Sequence, residues 1–381
     1  MGTEWPLVSL AEVAEEITVG HVGPMTHEYI PRGVPFLRSQ DISSSGIRVA
    51  DARFVSEEFH RRLAKSSLVP GDVVIVRTGR PGTAAVVGPE LSEANCADLV
   101  IVRPGPKLDS HYLCAFINSI ARQQVTANLV GAVQQHFNVR AARRLQLRLP
   151  PHPEQRAIAQ VLRTLDDKID SNARVAKGGL DVMMTHFDRR FGPSNAARSI
   201  RPLRAVADVV LGQSPPGTTY SADPSAGMPL VQGMGVFGDR FAEPSMFTSS
   251  PTKVVGAGAL LMTVRAPVGS LNVTTETTCV GRGVAALVTE WPAFVECSLR
   301  KMEASWQGQA GGTIYPSVNG QQVRDAPVVA ADWDALHAFE AFAAPFRDRA
   351  LALHRESRRL AVIRDALLPH LVSGRIRVPL T

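Results

Sequence analysis

Two long amphipathic stripes alternate with two stretches of short strands, and this alternation constrains the fold more than any other feature of the chain. The first stripe follows "LPPHPEQ" and carries Ile158, Leu162, Leu165, Ile169, Ala176, Leu180, Met183 and Phe187, mostly three and four residues apart. That spacing lays one apolar face along a helix. Pro151 and Pro153 allow a helix to begin but not to extend backward, and Gly192-Pro193 closes it. Helical throughout Glu154–Phe187, the segment would span roughly 50 Å at about 1.5 Å per residue. Gly178-Gly179 lies inside it and is expected to weaken or bend the rod, or to divide it in two. The second stripe runs through Trp333, Leu336, Phe339, Phe342, Phe346, Ala350, Leu353, Leu360, Ile363, Leu367 and Leu371, with Pro369 and Gly374 punctuating its exit. One such stripe alone reads as an ordinary core helix. Two, each following a similar globule, read as helices that pack on each other.

The globules are similar because the chain contains a weak long-period repeat. "SLAEVAEEI" (Ser9–Ile17) resembles "PLRAVADVV" (Pro202–Val210), and "GVPFLR" (Gly33–Arg38) resembles "GMPLVQ" (Gly227–Gln232). "GDVVIVRTGRPG" (Gly71–Gly82) resembles "GALLMTVRAPVG" (Gly258–Gly269), and "GAVQQHFNV" (Gly131–Val139) falls opposite "GGTIYPSVN" (Gly311–Asn319). Cys96 and Cys114 are spaced as Cys279 and Cys297 are, which suggests small buried residues at equivalent core positions. Shared order makes chance a poor account of these matches. Each copy is expected to open with an amphipathic helix, carrying Leu10, Val13, Ala14 and Ile17 in one and Leu203, Val206, Ala207 and Val210 in the other. Short apolar, β-branched strands bounded by Gly and Pro follow, then a helix, a Gly-containing polar loop and a last strand. The fold class is α+β: two similar mixed domains, at 1–150 and 193–330, joined by long helices at 151–192 and 331–378. An antiparallel helix pair would hold the globules at opposite ends about an approximate twofold axis. Long loops that differ between copies of one scaffold are natural places for recognition residues.

Composition narrows the function. The net charge of +6 and pI near 9.4 are compatible with an anionic partner, but the basic excess is spread along the chain rather than gathered in a tail. No CxxC pair offers a zinc ribbon. No apolar run reaches the roughly 18 residues of a membrane span, the N-terminal region lacks a basic secretory signal, and Trp5 and Pro6 spoil a myristoylation signal. A cytoplasmic protein is expected. Enzyme motifs are missing: no phosphate loop, HExxH or GxSxG, and no Asn/Asp-Pro-Pro-Tyr/Phe of the kind an adenine methyltransferase needs. The adjacent Asp166 and Asp167 point in different directions on a helix and suit a solvated face better than paired catalysis.

Three segments carry a family resemblance. "LPPHPEQRAIAQVLRTLDDKID" (Leu149–Asp170) resembles the proline–Glu–Gln helix that follows a target recognition domain in type I restriction-modification specificity subunits. "IRDALLPHLVSGRIRV" (Ile363–Val378) resembles the end of that family's second conserved helix, and "GQSPPG" (Gly212–Gly217) its Gly-x-Thr/Ser-Pro domain entry. Two departures stand out: "GHVGP" (Gly20–Pro24) replaces that entry in the first copy, and "APVVAADWDALHAFEAF" (Ala326–Phe342) lacks Pro–Glu–Gln. The resemblance implies a non-catalytic subunit whose two domains each read half of a split double-stranded DNA target, with the helices setting the spacing. It implies two methylation subunits and restriction subunits as partners. S-adenosylmethionine, ATP and Mg would belong to those partners, with no cofactor or metal in this chain. A module serving a lone methyltransferase, and a coiled-coil scaffold joining two protein-binding domains, are the alternatives.

DNA readout calls for Arg, Lys, Gln and Asn aimed at base edges from loops or strand ends. Candidates in the first copy are Arg38, Gln40, Arg77, Arg80, Gln134, Gln135 and His136. In the second they are Gln213, Tyr220, Gln232, Arg265, Arg282, Tyr315 and Asn319. Arg77 and Arg265 stand out because they occupy the same strand-to-loop region of the two copies. Each candidate could instead be a surface residue or a local hydrogen-bonder.

Overall fold

The computed structural model describes residues 4–44, 46–49, 52–121, 137–192, 199–303, 305–306 and 317–379. The chain forms two compact units. The first combines the residues up to Ile169 with the segment from Arg359 onward; the second spans Asp170–Arg358.

In the first unit the chain runs through β1 (Leu7–Ser9), α1 (Leu10–Val13), β2 (Ala14–Val19), β3 (Val34–Leu37), β4 (Arg53–Val55), β5 (Val73–Val76) and β6 (Ala84–Val86). It continues through β7 (Asn95–Cys96), β8 (Leu99–Pro104), α2 (Ser110–Phe116), α3 (Val139–Arg143) and β9 (Gln146–Arg148) to α4 (His152–Phe191). A four-stranded antiparallel sheet has the order β2-β8-β5-β6. In a second sheet β3 pairs antiparallel with β4 and parallel with β7, and β1 pairs with β9. The "VVIV" of β5 is buried on both faces: Val73 and Ile75 face one cluster with Tyr112, Ile158 and Leu371, while Val74 and Val76 face another with Leu37 and Cys96. A strand covered on both sides loses the usual alternation and reads as a continuous apolar run.

The second unit repeats the plan with β10 (Ile200–Pro202), β11 (Asp208–Leu211), β12 (Met228–Val231), β13 (Phe247–Thr248), β14 (Leu260–Thr263), β15 (Leu271–Val273), β16 (Thr278–Val280) and β17 (Val284–Val288). α5 (Pro292–Arg300), α6 (Gly320–Arg324), β18 (Pro327–Val329) and α7 (Trp333–Ser373) follow, and two-residue strands at Tyr220–Ser221 and Val254–Val255 flank the second sheet. Its main sheet is β11-β17-β14-β15, its second sheet pairs β12 with β13 and with β16, and β10 pairs with β18. The four-stranded sheet, the terminal strand pair and the parallel pairing in the second sheet match the first unit in order and direction, while the second sheet has three strands in the first unit and five in the second.

The register refines the sequence repeat. Ala97 N donates to Leu37 O at 2.9 Å and Gly281 N to Val231 O at 2.8 Å, so Cys96 corresponds to Val280 and not to Cys279. The cysteine echo is therefore one residue out of structural register. All four cysteines are free, and burial pushes the Cys114 and Cys297 thiols up to about 12. The expected opening helices are also corrected. α1 is a single turn, and in the second unit Leu203–Ala205 forms only a 3-10 turn. The chain then becomes strand, because β-branched Ile17, Thr18 and Val19 have partners waiting in Val102, Ile101 and Val100.

Both long helices are continuous. α4 has 40 residues and runs straight through Gly178-Gly179, so the expected break is absent. A Cβ on Gly179 would meet Phe346 of α7 at an ordinary 3.5 Å; packing sustains the helix where propensity is poor. α7 has 41 residues and passes Pro369 before ending at Gly374, whose φ of +75° suits the residue after a helix. Two members of its stripe, Trp333 and Ile363, lie outside the core, at 57% and 48% exposure. Trp333 is the first residue of α7, and its ring lies against that of Trp291 at 5.9 Å, tilted by 37°. Within each unit the two helices are antiparallel. In the first, Glu154 pairs with Arg377 and Asp166 with Arg364. In the second, Asn172 Nδ2 donates to Glu356 Oε2 at 3.0 Å, and His186 stacks on Phe342.

A buried polar group ties each sheet domain to a helix. Gln155, fully buried, accepts from Asp109 N at 2.8 Å and donates to Lys107 O and Pro150 O. Its counterpart, three residues into α7, is the fully buried Leu336; the second unit uses Glu340 instead, which accepts from Phe294 N at 2.8 Å. Beside it, Glu296 of α5 is enclosed by three guanidinium groups. Arg240 binds it through two bonds of 3.0 Å, and Arg300 and Arg347 bind at 3.1 and 3.2 Å. Burial by itself would raise the Glu296 pKa, but Arg240, Arg300 and Arg347 override it and hold the carboxyl at about 2.

Because this pKa is depressed on folding, the Glu296 contribution is fully present above the ordinary carboxylate range and is lost as pH falls from about 4.5 toward 2. Glu296→Gln leaves three guanidinium groups short of their counter-charge and is expected to cost about 3–5 kcal/mol. It should also flatten the acid limb of the stability profile. Thermal unfolding of both proteins between about pH 2 and 6 checks this; parallel acid limbs would contradict it.

Candidate nucleic-acid interface

The strand-end loops of each unit gather the polar residues singled out in the sequence. Their positions begin with a glycine. Gly20 follows β2 and Gly212 follows β11, and a Cβ at either would lie 2.7 Å from Cys96 O or 2.1 Å from Gly281 O. The glycine lets the next residue close on the neighbouring strand end, so His21 N donates to Cys96 O and Gln213 N to Val280 O. The glycine of "GHVGP" thus does the same work as that of "GQSPPG", although the following residues differ.

In the second unit, four residues converge just beyond Gly212. Ser214 Oγ lies 3.0 Å from Gln232 Oε1, and Tyr220 OH lies 3.2 Å from the same oxygen and 3.1 Å from Pro215 O. Arg282 directs its backbone N and its Nε at Ser214 Oγ, at 3.4 and 3.5 Å. Gly281 and Gly283 leave room for Gln232: a Cβ on them would fall 2.4 Å from its Cγ and 2.1 Å from its carbonyl oxygen. Three sequence candidates, Tyr220, Gln232 and Arg282, are therefore brought together, with Gln213 exposed beside them. Ser214 was missed by the sequence reading, although it lies inside the quoted "GQSPPG".

The other candidates of the second unit lie elsewhere. Arg265 is exposed in the loop after β14, where its backbone bridges to Ser317. Asn319 is a helix cap: its Oδ1 accepts from Gln322 N at 2.9 Å, as Asn138 Oδ1 accepts from Ala141 N at the start of α3. Tyr315 lies outside the described residues.

The first unit fills the corresponding positions differently. Arg38 stands where Gln232 stands, immediately after the strand that pairs parallel with its neighbour. Its guanidinium binds fully buried Asp41 through two 3.0 Å bonds. Gln40 is exposed, with an amide oxygen placed to accept from Arg38 Nη2 at 2.9 Å. Asp98 stands where Arg282 stands, at φ +53°, and receives Arg77 Nη1 at 2.7 Å and Thr78 Oγ1 at 2.9 Å. Arg77 Nε also donates to Phe137 O at 3.3 Å. Arg80 is exposed in the loop between β5 and β6. Gln134, Gln135 and His136 lie outside the described residues. The Arg38–Asp41 spacing is legible as one 3-10 turn; the Asp98 partnership joins distant loops and leaves no local signal.

Arg77 and Arg265 are not equivalent. Phe137 N donates to Arg77 O and Val318 N to Val264 O, so Arg77 corresponds to Val264. A one-residue offset on extended chain reverses the side-chain direction, and accordingly Arg77 is largely enclosed while Arg265 is exposed. Among the described residues no group of His, Cys, Asp or Glu is arranged to hold a metal ion, and no described helix is long and apolar enough to cross a membrane.

No family model matches the chain. It is 23% identical over 405 aligned residues to the putative type I restriction enzyme MjaX specificity subunit of Methanocaldococcus jannaschii, covering 98% of this chain and 94% of that protein. Among solved structures, the S subunit of a type I restriction-modification system from M. genitalium covers 97% of this chain and 96% of its own, with a TM-score of 0.60 at 13% identity. The HsdS subunit from Thermoanaerobacter tengcongensis aligns over 98% of this chain and 97% of its own at 22% identity, with a TM-score of 0.39. With its repeated domains and paired helices, the chain shares the fold of the M. genitalium S subunit, and along nearly its whole length it is similar to a putative specificity subunit of a type I restriction enzyme.

Proposed function

We propose that this chain is the non-catalytic, sequence-reading subunit of a type I restriction-modification complex, each unit recognising one half of an asymmetric, bipartite double-stranded DNA target. The observation that carries this reading is one sheet topology used twice with different chemistry at the same strand ends: Arg38 and Asp98 in one unit, Gln232 and Arg282 in the other. A duplicated scaffold with unlike loop ends suits a target of two unlike halves. The curated relative is named for a type I specificity subunit, which supports the same role. Two methylation subunits and the restriction subunits are the proposed partners. S-adenosylmethionine, ATP and Mg belong to their chemistry, and this chain supplies the address.

Methylome sequencing of the host with and without the gene tests the assignment; a perfect palindrome would overturn it. Arg77 braces the loop that carries Asp98, so Arg77→Ala is expected to cost about 1–3 kcal/mol and to damage readout of one half-site only. Arg265→Ala, at an exposed position, should stay within about 0.5 kcal/mol. Urea unfolding and methylome sequencing of the two variants check this, and equal relaxation of both half-sites after Arg77→Ala would count against independent reading.

The uninterrupted helices support a spacer role. Matched insertions of four residues after Asp170 in α4 and after Arg359 in α7 add about 6 Å of helix. The half-sites should persist while the gap between them grows by about two base pairs at 3.4 Å each. An unchanged target would sink the spacer role.

A further inference from the structure

The hydrogen bonds around Gln232 fix which end of its amide is offered outward. Ser214 Oγ receives the two N–H groups of Arg282, so its own hydrogen is left to donate, and Gln232 Oε1 lies 3.0 Å away. Tyr220 OH lies 3.2 Å from the same oxygen and 3.1 Å from Pro215 O, and its one hydrogen serves either. Gln232 Oε1 is thereby occupied inside the protein. Gln232 Nε2 makes no hydrogen bond among the described residues and is not buried. Arg282 is exposed and its guanidinium can only donate. Ser214 touches both side chains, so the two outward-facing groups are neighbours and both are donors.

On the DNA-reading role proposed above, we infer that the cluster of Ser214, Tyr220, Gln232 and Arg282 selects a guanine in the half-site read by the second unit. Guanine is the base whose major-groove edge offers two adjacent acceptors, O6 and N7, and no donor. Adenine and cytosine each place an amino donor on that edge, which a donor pair would meet unfavourably. Ser214 and Tyr220 are positioning residues here: they hold the amide, and Gln232 and Arg282 meet the base. The first unit cannot present the same pair, because Arg38 is bound to Asp41 and the position of Arg282 is taken by Asp98, an acceptor already engaged by Arg77 and Thr78.

Gln232→Glu is the informative substitution. It preserves the oxygen held by Ser214 and changes the outward donor to an acceptor. The full-length chain, wild type and variants, is assembled with its methylation subunits, and the methylated sites are recovered from a randomised DNA library. The wild type is expected to require G at one position of one half-site. Gln232→Glu should lower the preference for G there by about tenfold and favour C, with the other half-site unchanged. Ser214→Ala releases the amide to rotate and should relax that same position while the wild-type target is still methylated. Thermal unfolding shows whether each variant is folded; if Gln232→Glu is not, Ser214→Ala decides alone. A wild-type C or A at the position these variants alter, or a G preference that survives the substitution, would overturn the inference while leaving DNA reading intact. Wild-type assemblies that methylate no bipartite site would overturn the DNA-reading role itself.

Discussion

Each sheet domain is fastened to a long helix by a buried polar group that has nowhere else to bond. In the first unit Gln155 answers one backbone donor and two backbone acceptors that would otherwise be orphaned in a closed interior. In the second, Glu296 gathers guanidinium groups from a loop, from α5 and from α7, and Glu340 completes the N-terminal end of α5. Apolar packing between domain and helix would tolerate sliding. Directional bonds at these sites do not, so the strand-end loops of each sheet domain are built on a fixed footing.

The two solutions show how much latitude one architecture allows. Where the first unit has the amide of Gln155, the second has Leu336 at the same step into the helix and moves the polar contact one turn on, to Glu340. The absence of Pro–Glu–Gln from the second copy is thus a relocation of the fastening. It explains why the sequence repeat is faint while the strand order is the same. Backbone pairing preserves topology, and side chains are free to change wherever an equivalent bond can be made nearby.

Much of this was legible in the sequence. The stripes of α4 and α7 and the apolar runs of β5, β8, β14 and β17 are periodic or continuous enough to declare themselves. Errors came where a short signal had two readings. Leu10 to Ile17 fits a helical face, but half of it becomes β2 because Val100–Val102 offers a ladder that no local pattern reveals. Gly178-Gly179 looks like a break until Phe346 is seen to pack against it. At the candidate interface, residue type pointed to Tyr220, Gln232 and Arg282, yet it could not separate a reader from a brace. Asn319 caps a helix, and Arg77 is held by an aspartate from another loop. The pairing of Cys96 with Cys279 failed by one residue, which is the error a gapped repeat invites and only a hydrogen-bond register corrects.

The division of the chain has a consequence for how the molecule is made. The second unit is one continuous stretch, Asp170–Arg358, whereas the first needs the segment from Arg359 onward. Leu371 and Val372 fill its core, Arg377 lies over the Trp5 ring at 4.1 Å, and Gly374 packs against that same indole. On the ribosome, the residues of the first unit emerge first and are completed last. The later-begun unit has its whole sequence in hand while the earlier one still lacks the segment that fills its core, so the order in which the units start and the order in which they are complete are reversed along this chain.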